Sequence, residues 1–155
     1  MKIIITSDVH GHMDRLKRIA LLHQDADFFL DAGDSEGNEA SIKPFISVEG
    51  NNDYFQSFPK TRVIDCGEIK IYMTHSHEFF SSQREEGLVK KAIRLGCQIV
   101  VYGHTHVPLV KEIRGVTLIC PGSLYYNRDR TPIGYVVLNI ENQNMNIQHI
   151  PYVKP

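Results

Sequence analysis

The chain has 155 residues, of which 42% are hydrophobic and 23% charged, with a formal net charge of -1. That size and balance suit one compact globular domain over residues 1–155 with a sizeable core, and they offer no global basic field for gripping nucleic acid or an anionic membrane. Three cysteines, Cys66, Cys97 and Cys120, are scattered without CxxC spacing, which fits buried thiols in a reducing compartment and argues against a disulfide framework.

In chain order, the run KIIIT (2–6) reads as a buried strand. It meets aspartate and histidine too early for a signal peptide or a membrane span, so a cytoplasmic protein is expected. Residues 13–24 show helical spacing of Leu16, Ile19, Ala20 and His23, and 26–33 return to strand, a βαβ opening that predicts a parallel pair. A third strand is expected over 45–50, then a hairpin over 62–75 around Cys66 and Gly67, a helix over 83–94 and a strand over 97–103. The last third changes style, with one hairpin around Arg114 and Gly115 and another around a polar turn between residues 134 and 150. The expectation is α/β in the first half and mainly antiparallel β in the second, with no repeat or linker to divide them.

Polar clusters then fall into place on this map. SDVHG follows the first strand, AGDSEG the second, EGNND the third, THSH the hairpin and GHTH the late strand. Each lies just past a strand's carboxyl end, where ligands sit in open α/β sheets. One D-x-H pair or one GD turn is weak evidence, since glycine and Asx turns need no ligand. Recurrence in the same structural place is what gives the pattern weight. Two imidazoles, His104 and His106, at the end of the apolar run IVVYG need partners that a core cannot supply. Asp8, His10, Asp34, Asn51, His75, His104 and His106 together offer carboxylate, imidazole and amide oxygen, a donor mixture for Mn, Zn, Fe or Ni and a poor one for calcium. Seven donors exceed one open catalytic ion but suit two ions sharing a carboxylate at a separation of about 3.5–4 Å.

The ordered set DVH, GD, GN, THSH and GHTH resembles that of the calcineurin-like metallophosphoesterases, and the short chain, the GNND form and the late CPGS resemble their small bacterial and archaeal phosphodiesterases of the YfcE type. The resemblance implies a four-layer α/β/β/α sandwich of two mixed sheets. It implies that Asp8, His10, Asp34 and His106 hold one metal and Asp34, Asn51, His75 and His104 the other, with Asp34 as the bridge and manganese the favoured working ion. The implied activity is phosphodiester hydrolysis by in-line attack of a metal-bridging hydroxide, with Asp34, Asn51 and His75 in the catalytic set. Where larger relatives carry a histidine after the GN asparagine, this chain has Asn52, whose amide is no general acid. Asp53, His12 and His77 are the candidates to assist the leaving group.

His12, His77, Ser123 and Arg128 are also candidates for touching the substrate, the last two because CPGSLYYNRDR (120–130) can offer N–H groups, a hydroxyl and a guanidinium to an anion. Tyr125 and Tyr126 could stack on a nucleobase. The expected partner is a small phosphate ester; nucleic acid and membrane are not expected, and a homo-oligomer is compatible with the sequence. The competing function class is a noncatalytic metal-binding scaffold on the same fold. Such scaffolds often lose a ligand, and this chain keeps every one.

Overall fold

The computed structural model describes residues 1–155. Its first strand, β1 (Lys2–Thr6), buries Ile3, Ile4 and Ile5 completely. Successive side chains point to opposite faces, so a strand that is apolar at every position must be covered on both sides. Ile3 and Ile5 enter the core between the sheets, and Ile4 meets Leu16 and Ile19 of α1 (Met13–Leu22) on the outside. β2 (Phe28–Asp31) pairs parallel with β1, as the βαβ pattern predicts.

After β2 the chain departs from expectation. A one-turn helix, α2 (Glu39–Ile42), is capped by Asn38, whose side chain accepts from the Ser41 N–H at 2.8 Å, and it seats Ile42 in the outer layer. The third strand is shorter than predicted: β3 (Ile46–Ser47) adds parallel to β2 for two residues before the chain turns into a loop.

β4 (Thr61–Asp65) and β5 (Lys70–Thr74) form the hairpin around Cys66 and Gly67. α3 (Arg84–Leu95) then packs Leu88, Val89 and Ala92 on the outer face and delivers β6 (Ile99–Tyr102) parallel to β5. β7 (Leu109–Ile113) and β8 (Val116–Cys120) are joined through Arg114 and Gly115, both at positive φ (49° and 76°), the two-residue turn whose twist matches a hairpin. β9 (Gly134–Glu141) and β10 (Asn144–Pro151) are joined the same way through Asn142 and Gln143.

The sheets have the orders β10-β9-β1-β2-β3 and β4-β5-β6-β8-β7. The two hairpins expected in the second half, β7 with β8 and β9 with β10, are antiparallel, while β5, β6 and β8 form a parallel centre in the second sheet. The cause is again burial on both faces. Ile99 and Val101 point into the inter-sheet core while Val100 and Tyr102 need the cover of α3. The result is the α/β/β/α sandwich, with an apolar seam between sheets. No helix is long and apolar enough to cross a membrane.

Candidate metal centre

The loops after β1, β2, β3, β5 and β6 meet at one end of the sandwich, and their backbones are unusual. Asp8, His10, Asp34, Glu36, Ser76, His104 and His106 all have positive φ, although none is glycine. Such conformations cost roughly 1 kcal/mol or more each and cluster where function needs a particular side-chain direction. Two glycines permit the close approach of these loops. A Cβ on Gly50 would come within 2.1 Å of Asp34 Oδ1, and one on Gly103 within 2.0 Å of Ser7 Oγ.

The histidines are oriented by what their far nitrogens hold. His75 Nδ1 donates to the Ala32 carbonyl at 2.7 Å and His106 Nδ1 to the Tyr126 carbonyl at 3.0 Å. A carbonyl cannot donate, so each ring must donate from Nδ1, and each Nε2 has a lone pair to offer a cation once the ring is neutral. His10 Nδ1 lies 2.7 Å from the Glu36 carboxylate, which fixes the third ring the same way. The lone pairs of His10 and His106 then face each other at 3.2 Å. Nearby, Asn51 Oδ1 sits 2.9 Å from both His75 Nε2 and His104 Nδ1.

Asp8 is fully buried; its Oδ2 accepts from Ser7 Oγ and the His104 N–H, but its Oδ1 has no hydrogen-bond partner and lies 3.1 Å from His106 Nε2. Asp34 Oδ2 is 3.3 Å from His75 Nε2 and 4.0 Å from His10 Nε2, between the two histidine groups. An orphaned buried carboxylate oxygen among converging lone pairs is a costly arrangement for an interior, and cations remove the cost. Two ligand-sized groups are recognisable, Asp8 with His10 and His106, and Asp8 with Asp34 and His75. The donor set fits divalent transition metals at these positions.

Titration reflects the same crowding. Burial alone would lower the pKa of His75, but its hydrogen bond to the Asp34 carboxylate and the charges of Asp8 and Asp34 outweigh it and raise it to about 9. Asp34 resists its own burial because His75 and the donors of Asn52 hold its carboxyl well below the usual range. His104 is pushed down to about 4 by burial and by the neighbouring charge of His75.

The other predicted site residues divide. Arg128 lines the cavity above the centre, a space of about 460 Å³ floored by the ligands and walled by Glu36, Asn52, Tyr125 and Tyr126. Ser123 does not reach it: the side chain is buried, donates to the Asp8 carbonyl at 2.8 Å and accepts from the N–H groups of Tyr125 and Tyr126. It shapes the loop and leaves nothing for substrate. Asp53 is likewise occupied: its side-chain oxygens accept from the N–H groups of Asp34 (2.8 Å), Glu36 (2.9 Å) and Gly50 (2.7 Å), tying the GD and GN loops together. His12 stacks on Tyr125 with ring centres 5.5 Å apart, and neither it nor His77 lines the cavity. Two roles were missed in the sequence. Glu36 holds His10 across 26 residues, and Asn52 holds both oxygens of Asp34, through its N–H and its amide, each at 2.8 Å.

Known proteins resemble this chain to different depths. The calcineurin-like phosphoesterase superfamily domain matches residues 1–143. Probable metallophosphoesterase YsnB of Bacillus subtilis is 32% identical over 92% of this chain and 86% of its own length, and a phosphodiesterase of Methanocaldococcus jannaschii is 26% identical over 79% of this chain and 83% of its own. Among solved structures, a predicted phosphoesterase of Streptococcus pneumoniae superposes with a TM-score of 0.90 at 25% identity, covering 97% of this chain and 88% of that one. Vps29 of Entamoeba histolytica, solved with zinc, superposes with a TM-score of 0.74 over 97% of this chain and 98% of that one, at 20% identity, a likeness of fold alone. From the match over nearly its whole length, and from relatives covered over most of theirs, the chain belongs to the calcineurin-like phosphoesterase superfamily.

Proposed function

We propose that the protein is a phosphoesterase working with two divalent transition-metal ions, with manganese favoured, and that its preferred substrates are small phosphodiesters. The observation that carries this reading is the convergence of His10, His75 and His106 Nε2 with Asp8 Oδ1 and Asp34 Oδ2, of which His10, His106 and Asp34 line the floor of an open cavity and Asp8 and His75 are fully buried. Bound there, the ions would supply charge neutralisation at the phosphoryl oxygens and make water acidic enough to act as a nucleophile near neutral pH.

The chain's own groups supply placement. Asp34, held at both oxygens by Asn52, keeps its carboxylate between the two histidine groups, and Asp53 fixes the backbone on either side of it. Arg128 on the rim offers a fork of donors to a non-bridging oxygen. No free histidine or carboxyl lines the cavity to act as a general acid: its histidines belong to the ligand set, and the Glu36 carboxylate is engaged by His10. The leaving oxygen on this reading takes its proton from water, with the Tyr125 and Tyr126 phenols as the other donors at hand.

The test pairs metal analysis with a hydrolysis screen of phosphate monoesters, diesters and cyclic nucleotides. Protein reconstituted with manganese is expected to cleave bis-p-nitrophenyl phosphate, and Asp34→Asn to abolish it, since an amide cannot neutralise cations as a carboxylate does. Residual activity above about a tenth of wild type with both metals retained would refute the role given to Asp34. A protein that binds two metals and cleaves nothing in the screen would favour the scaffold instead.

A further inference from the structure

The cavity over the metal centre does not end at Asn52. A second depression of about 300 Å³ shares Glu36 and Asn52 with it and continues past Tyr54, Phe55 and Gln56. The two make one trough with the candidate metal centre on its floor and an aromatic wall towards each end. At one end stand Tyr125 and Tyr126, each about half exposed, packed edge to face at 5.4 Å and braced against His12 and His106. At the other end Tyr54 and Phe55 are 77% and 95% exposed, on a loop that starts at the Asp53 latch and is tied to it by the Gln56 N–H.

Large exposed rings beside a functional cleft are the informative exception to apolar burial. A phosphodiester has two ester arms, and a trough open on both sides of the phosphate position has room for both. Aromatic faces bind flat rings of any identity by stacking. We propose that this trough takes a nucleoside-type phosphodiester, with a planar base stacked on Tyr54 and Phe55, the second arm against Tyr125 and Tyr126, and Arg128 pairing with a further anionic group on that arm. The occupant is small: Arg128 is the only lysine or arginine lining either depression, whereas a long polyanion needs a row of them. This inference rests on the phosphodiesterase reading and names its substrate class.

Two esters with the same leaving group separate the arms: thymidine 5′-(p-nitrophenyl phosphate) and methyl p-nitrophenyl phosphate. Wild-type protein is expected to favour the thymidine ester in kcat/KM by about tenfold or more, the size of one stacking contact. The doubly substituted Tyr54→Ala, Phe55→Ala protein should lose most of that preference through KM, and the ring-preserving Tyr54→Phe, Phe55→Tyr protein should keep it. Binding of thymidine monophosphate, followed by calorimetry, should weaken in parallel in the alanine protein. A preference unchanged by the alanine pair, or absent from wild type, overturns the proposal. If neither ester is cleaved, the phosphodiesterase reading falls, and the calorimetric comparison still decides whether the rings bind a nucleotide. Tighter binding of a ten-residue thymidine oligonucleotide than of the dinucleotide would overturn the choice of a small occupant.

Discussion

Glu36 shows how a single residue can brace a candidate metal ligand from behind. Its carboxylate accepts from His10 Nδ1 at 2.7 Å, its own N–H is held by Asp53, and its backbone stands at a φ of 58°. Removing a carboxylate behind a ligand histidine typically costs about 10–100-fold in metal affinity. Glu36→Ala is expected to weaken one of two manganese sites by that factor in calorimetry, with Glu36→Gln intermediate because its oxygen can still accept. Two sites of wild-type affinity in the alanine protein would show that His10 needs no such support. Asn52 supports a second expectation. Its amide is committed to Asp34 and carries no transferable proton, so under the proposed phosphoesterase activity it gives a poor leaving group no help. General acid catalysis is worth about 10²–10⁴-fold, so hydrolysis rates should fall steeply as leaving-group pKa rises across a graded series of aryl and alkyl esters. A flat series, with chemistry limiting, would mean that another residue supplies the proton. The lack of a general acid at Asn52 is legible in the sequence, but the contacts of Glu36 with His10 and of Asn52 with Asp34 are not. The ligand positions could be read because each is a polar group at a strand's end, whereas the Glu36 to His10 bond spans 26 residues and the Asp53 to Glu36 bond spans 17. Local spacing carries no sign of such contacts. Asp53 and Ser123 teach the same lesson: a carboxylate and a hydroxyl beside a motif look available in the sequence, and the structure shows N–H groups folded onto both.

At the scale of elements, legibility follows burial. β1 and β6 announced themselves as unbroken apolar runs because both faces are covered, and the Arg114–Gly115 turn was readable from its hairpin chemistry. β3 was overestimated and α2 missed, since a two-residue strand and a one-turn helix are held by tertiary packing of Ile42 and Phe45 and not by their own pattern. Between these elements sits Asp31, at the end of β2. It is fully buried, and it accepts from Thr6 of β1, Ser47 of β3 and the Gly33 N–H that opens the site loop. Burial drives its pKa up from 3.8 to about 7, with the three hydrogen bonds only partly opposing. The sign of the linkage follows directly. Between those two values the unfolded chain has lost the proton and the folded chain retains it, so stability from this group falls as pH rises from about 4 to about 7 and then levels off. Asp31→Asn, which keeps an oxygen for Gly33 and Ser47, should therefore gain melting temperature over wild type progressively across that window, measured in chelator. A difference that stays constant between pH 4 and pH 8 would show that Asp31 titrates alike in both states.

On the scale of the whole molecule, the candidate centre joins what the two sheets would otherwise leave apart. Asp8, His10, Asp34 and Asn51 follow β1, β2 and β3 of one sheet, and His75, His104 and His106 follow β5 and β6 of the other. Apolar packing holds the middle of the sandwich, but at this end the sheets meet through carboxylates and imidazoles, including the unpartnered Asp8 Oδ1. Ions that bind only the folded chain stabilise it by mass action, about 4 kcal/mol at a thousandfold excess over Kd. For a chain of this length that corresponds to a rise in Tm on the order of 10 °C. The whole fold is thus expected to melt later in manganese or zinc than in chelator, with the gain growing logarithmically with metal concentration. Because the ligands come from both sheets, amide protection should rise together in β1 and β6. A Tm indifferent to metal would remove the centre itself. Protection gained in one sheet alone would mean that the ions bind one set of loops without bridging the sandwich, and the division of ligands between the sheets would then have no energetic meaning.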